Sequence, residues 1–169
     1  MFVVRLTKIF MLMSCSLFTP LVFYGNLVDY NTNYQFVRHT LSMDTTFPGN
    51  ALLGRAISAT WAWTTAYWLI ISVEALAGTI LAVASIRMLR FSRAPARVFN
   101  NAKSLAILGA GMGFFLWFTG FMVIGGEWFA MWQSNDWNGQ ASAFRFYMTF
   151  LGVIIFVNQP DSELEVTQE

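Results

Sequence analysis

Long apolar runs separated by short polar links set the pattern of this chain. A crossing helix needs roughly 20 mostly apolar residues, and four windows reach that length: 9–28, 64–86, 104–124 and 138–157. The fourth is the weakest, because Arg145 interrupts it. No stretch outside them is long and apolar enough for a fifth. The pattern predicts an all-α membrane protein, a bundle of four transmembrane helices forming one domain over 1–157. A polar tail over 158–169 follows, carrying Asp161, Glu163, Glu165 and Glu169. Arg5 and Lys8 ahead of the first window resemble the start of a signal peptide. The apolar run continues past Cys15 to Val28, however, so the first helix is expected to be retained.

The placement of Lys and Arg predicts orientation. Arg5, Lys8, Arg87, Arg90, Arg93, Arg97 and Lys103 fall on one side, and only Arg38 and Arg55 fall in the loops of the other. Both termini and the basic link are therefore expected in the cytoplasm, with 29–63 facing outward. Acidic residues in the tail weigh little in this rule. The basic link reads as a topology signal touching anionic headgroups. Pro95 ends the second helix and lets the chain reverse, so spans two and three should pack antiparallel.

Helices in lipid pair through small residues. Gly109 and Gly113 lie four apart in span three, with Gly120 further along, and Ala75, Gly78, Thr79 and Ala82 form a small stripe on span two. A tight crossing between spans two and three is expected, with a dimerisation face as the alternative. Pro20 falls in the middle of span one and predicts a kink, with Ser14, Ser16 and Thr19 able to satisfy freed backbone groups.

The aromatic residues are distributed asymmetrically. Trp61, Trp63, Trp68, Trp117, Trp128, Trp132 and Trp137 all map to the outer end or just below it, where an aromatic belt anchors helices. Trp68 and Trp117 lie deeper and either wall a pocket or pack the bundle. In the first outer loop, Asn50 is a candidate N-cap for an interfacial helix beginning at Ala51, with Leu52, Leu53, Ala56 and Ile57 apolar and Arg55 on the wet side. Tyr34, Val37 and Leu41 suggest a second short amphipathic helix before it. In the second outer loop, Gly125 and Gly126 are expected to turn the chain out of the third helix. Together the loops form a cap over the bundle, with Trp68, Trp117, Trp128, Trp132 and Trp137 as its aromatic or partner-facing surface.

Several of these stretches carry a resemblance. Met43-Asp44-Thr45-Thr46-Phe47-Pro48, Arg55-Ala56-Ile57, Gly125-Gly126-Glu127-Trp128-Phe129-Ala130-Met131-Trp132-Gln133-Ser134 and Trp137-Asn138-Gly139-Gln140 resemble a family of predicted small bacterial integral membrane proteins of unknown function. The resemblance covers nearly the whole chain and implies four helices in a bacterial inner membrane. It transfers no activity and no site.

Composition agrees with this placement. Of 169 residues, 56% are hydrophobic and only 11% are charged, against about 25% charged in a soluble domain. A net charge of +1 leaves no basic face for nucleic acid. Two charges then require an account, because an ionisable group at mid-membrane costs roughly 2.5 to 3.5 kcal/mol on insertion scales. Glu74 lies near the middle of span two, and Arg145 in span four is its candidate partner. Such a pair would tie the two spans together. Alternatively Glu74 titrates or binds a cation, and Arg145 pairs instead with Glu127.

His39 is the only histidine and Cys15 the only cysteine, so a bis-histidine haem and an intrachain disulfide are both excluded. The lone His39 reads as polar surface. Asp29, Asp44, Glu127 and Asp136 are too scattered for a metal site. Walker, dinucleotide and nucleophile-elbow motifs are missing. No enzyme, cofactor or metal is expected. The leading expectation is a non-enzymatic accessory or assembly subunit of an inner-membrane complex. Its partners would be lipid and other membrane subunits, or further copies of itself. The alternative is a small homo-oligomeric transport or ligand-binding protein that uses Glu74 and Arg145.

Overall fold

The computed structural model describes residues 2–164. Its helices are α1 (Phe2–Val28), α2 (Tyr30–Ser42), α3 (Thr60–Arg90), α4 (Ala96–Ala102), α5 (Ser104–Phe115) and α6 (Gln140–Asn158). Four helical stretches are long and apolar enough to cross a membrane: Phe2–Val28, Thr60–Arg90, Ala96–Trp128 and Gln140–Asn158. Three of them outrun their apolar windows, because backbone hydrogen bonding continues into the polar flanks while the hydropathy signal stops. α1 packs along α3, α3 on α5, α5 on α6, and α6 closes lightly back onto α1. Glu165 and Glu169 of the acidic tail lie outside the described residues.

Beyond Phe115 the third spanning helix widens into a π-helix over Leu116–Trp128, and Phe129 N–H still donates five residues back to Ile124 O (3.0 Å). Contrary to the expectation from the sequence, Gly125 and Gly126 do not turn the chain out. They are buried within this segment, where a Cβ on Gly126 would collide with the Gln140 side-chain amide. Close approach is their role, and the exit falls at Ala130, whose φ is 51°. α3 ends at Arg90, ahead of Pro95; Phe91–Pro95 makes the reversal, and α4 starts the return.

Small residues do carry the packing, but not between one pair of helices. Gly109 meets Leu81 and Ile80 of α3, as expected for spans two and three. Gly113 instead receives the Phe150 ring of α6, and Gly78 faces Pro20 of α1. Each glycine admits a different neighbour because the three positions face different helices. α1 remains helical through Pro20. The nearby hydroxyls bond other carbonyls, Ser14 to Phe10 O, Ser16 to Met13 O and Thr19 to Cys15 O.

The terminal end holds a buried ionic knot that the basic residues had not suggested. Arg5 and Lys8 are 0% and 1% exposed. Arg5 donates to Ser92 O, Ala94 O and Ser162 O and covers the Phe99 ring. Lys8 Nζ donates to Asp161 Oδ2 and Gln159 O, both at 2.7 Å. Lys103 Nζ bonds the same Asp161 oxygen, Gln159 O and Asn100 Oδ1. Burial pushes the Asp161 carboxyl up, but the hydrogen bonds and charges of Lys103 and Lys8 outweigh it and hold it below its ordinary value. Lys103, read with the basic link as a headgroup contact, therefore binds protein instead, as do Arg5 and Lys8, whereas Arg90, Arg93 and Arg97 stay exposed.

Candidate functional site

The opposite end is closed by the two loops. The expected helix at Ala51 is only a 3-10 turn, Leu53–Arg55. Asn50 still caps locally, its Oδ1 accepting from Leu52 N–H, but the backbone is already extended at Ala56. Arg55 is not free in water. Its guanidinium lies 4.6 Å from the Trp128 ring centroid and donates to Trp128 O. Gln133 Oε1 accepts from Phe47 N–H and Asn50 Nδ2, and Thr45 bonds Ser134. The short amphipathic piece around Tyr34 becomes α2 in full. His39 is more than polar surface, since it stacks on Trp137 at 4.6 Å and bonds Asp44 at 2.8 Å.

Below this cap, the structure places Glu74 near the middle of α3, 2% exposed. Its Oε2 accepts a hydrogen bond from Asn26 Nδ2 at 2.7 Å. Asn26 belongs to the last turns of α1, and its carbonyl in turn accepts from the Tyr67 hydroxyl at 2.7 Å. One residue thus joins α1 to two turns of α3. The sequence reading did not single out Asn26 or Tyr67. A lone amide in an otherwise apolar span was the available signal, since a polar group in hydrocarbon needs a partner.

Glu74 and Arg145 are not brought together. Arg145 points outward from α6, over a groove between α6 and α1. Among the described residues the ion pairs are those of Lys8, Lys103 and His39, so neither Glu74 nor Glu127 takes Arg145. The reason is helical phase. Ala143, Phe150 and Val157 define the buried face of α6, and Arg145 falls off it.

Glu74 instead lines a cavity of about 330 Å³. Asn26, Asn33, Asn138 and Ser142 supply polar atoms, while Tyr67, Trp117, Phe36, Phe121 and Phe146 supply aromatic surface. It reaches from mid-bundle to the capped end, where Asn138 is exposed. Trp117 serves packing as well: it is 3% exposed and stacks on Phe150 at 5.3 Å. Trp68 faces outward beside Tyr30, and Trp128 and Trp132 stand exposed on the cap. The π-helical segment matters here because it contributes Trp117 and Phe121 to the wall, and such segments recur at functional sites. A separate apolar groove of about 500 Å³ runs along its other side, between Leu41, Ile70 and Ile124.

Among the described residues no group of three or more His, Cys, Asp or Glu is placed to hold a metal ion. What the cavity offers is one carboxylate, several amides and aromatic faces. No curated protein and no solved structure matches the chain. A family model does match, over residues 4–160. Its description agrees with the four apolar helices, and the chain belongs to this family of predicted small integral membrane proteins, DUF2165.

Proposed function

We propose that the protein is a non-enzymatic membrane protein that binds a small organic cation in the Glu74 cavity. The observation that carries this reading is a nearly fully buried carboxylate whose hydrogen-bond partner is a neutral amide. An amide satisfies a lone pair but supplies no countercharge, and an uncompensated charge in a low dielectric is expensive. A bound cation supplies it. The cavity's volume equals that of about ten waters, too large for one bare ion, and aromatic walls favour an alkylated ammonium through cation–π attraction. By the bias of Lys and Arg, the ionic knot lies on the cytoplasmic side of a bacterial inner membrane, so the cavity faces outward.

A second reading, an accessory subunit of a larger membrane complex, draws on the cap. Trp128, Trp132 and Phe47 are exposed there on loops fixed by Gln133 and Arg55, and rigid aromatic surface suits a protein partner. Titrating the purified chain with tetramethylammonium while following tryptophan fluorescence separates the two. Saturable binding that Glu74→Gln abolishes, with no response to a neutral alcohol of similar shape, supports the cation site. No binding, together with co-purification of a defined larger complex after gentle extraction, favours the accessory subunit.

A further inference from the structure

Arg145 is a charge in a spanning helix with no carboxylate partner among the described residues. It stands over a groove of about 460 Å³ between α1 and α6, where those helices touch only lightly. We propose that this groove is a site for an anionic phospholipid, whose phosphodiester sits on the Arg145 guanidinium and one acyl chain of which lies between α1 and α6. The proposal is independent of the Glu74 cavity, which lies on the other side of Phe146.

Three observations support it. The first is depth. Arg145 follows the start of α6 at Gln140 by five residues, or about 8 Å along the axis. A long side chain there snorkels to the headgroup layer. The second is the chemistry of the lining. Ser14 and Thr149 flank the groove, but their hydroxyls already donate to Phe10 O and Arg145 O. The guanidinium is then the strong donor left, with five N–H groups and no acceptor. Its fork matches a phosphate geometrically, so the occupant presents an anionic acceptor.

The third is shape. Moving from Arg145 toward the terminal end, Phe18, Cys15, Met11 and Val153 give the groove apolar walls, and the Ser14 and Thr149 hydroxyls among them are taken up by carbonyls of their own helices. Polar at the interface and apolar below is the profile of a phospholipid. A single hydrocarbon chain is narrow enough to enter.

The test uses the full chain, delipidated in a mild nonionic detergent, with native mass spectrometry after adding phosphatidylglycerol or phosphatidylcholine of matched chains. Phosphatidylglycerol should be retained in preference. Arg145→Gln should weaken that retention about tenfold, the loss expected for a hydrogen bond to a charged group. Arg145→Lys should keep most of it. Ser14→Phe, which fills the groove and leaves the charge, should also reduce it. Unchanged tryptophan fluorescence verifies that each variant is folded. Equal retention of both lipids with no effect of Arg145→Gln overturns the proposal. So does displacement by inorganic phosphate, which would make the site one for a free anion. Loss of a homodimer in Arg145→Gln would instead assign the groove to a second copy.

Discussion

Among the described residues two carboxylates are removed from solvent, Asp161 at the terminal end and Glu74 midway along the bundle, and their surroundings differ in kind. Asp161 receives two lysines on one oxygen, and its backbone N–H and C=O are both held by Asn100. Its charge is matched by protein cations. Glu74 has one neutral hydrogen bond and a cavity in front of it. Burial alone therefore does not distinguish structural from functional charge. The partner does: a carboxylate already matched by cations locks elements together, and one matched only by an amide retains electrostatic capacity for something else.

The largest effect is expected at the locked site. Asp161→Ala leaves Lys8 and Lys103 buried without a counterion, which should destabilise the fold by about 3–5 kcal/mol in denaturant unfolding of the detergent-solubilised chain. Adding Lys8→Met to that variant should recover part of the loss. Acid probes the same site without mutation. The Asp161 carboxyl titrates lower in the fold than in the unfolded chain. Its stabilisation is therefore complete above about pH 4 and is lost as pH falls through the depressed folded value. Thermal unfolding against pH should show this acid limb in the parent chain and not in Asp161→Asn.

Between the two carboxylates, Gly113→Ala would set a Cβ 2.8 Å from the Phe150 ring and should cost about 1–3 kcal/mol by overpacking. Gly111→Ala, with nothing within 4 Å of the new Cβ, should cost nothing and can stabilise by up to about 1 kcal/mol, the helix propensity of Ala over Gly. Glu74→Gln should change stability by less than about 1 kcal/mol, because the amide keeps an acceptor for Asn26. A loss as large as that of Asp161→Ala would make the two carboxylates equivalent and end the distinction between them.

The four spans were legible because lipid imposes a length and a composition that local sequence must meet. Glu74 was legible for the same reason, as a charge inside an apolar run. Its partner was not. Which residue faces Glu74 depends on the rotation of α1 and α6 about their axes, and Arg145 offered the right charge on the wrong face. The knot was hidden by sequence distance, since Lys8 and Asp161 lie at opposite ends of the chain. A local clue did exist. Arg5 and Lys8 are in phase with Leu12, Cys15 and Thr19 on the buried face of α1, spaced three and four apart. Cations in register with a buried stripe are better read as core than as surface. The cap was half legible: aromatic content marked its location, but the hydrogen bonds of Gln133 across two loops belong to tertiary structure.

The ionic knot also bears on how the chain is made. Lys8 lies on the first spanning helix and its counterion Asp161 follows the fourth, so synthesis supplies the cation well before the carboxylate. Until then the cations of the first helix have no native carboxylate to meet, and the first and last helices have no bond at that end. A chain that ends after Asn158 and before Asp161 has all four spans and an open terminal end, and only one that extends through Asp161 can close the contact.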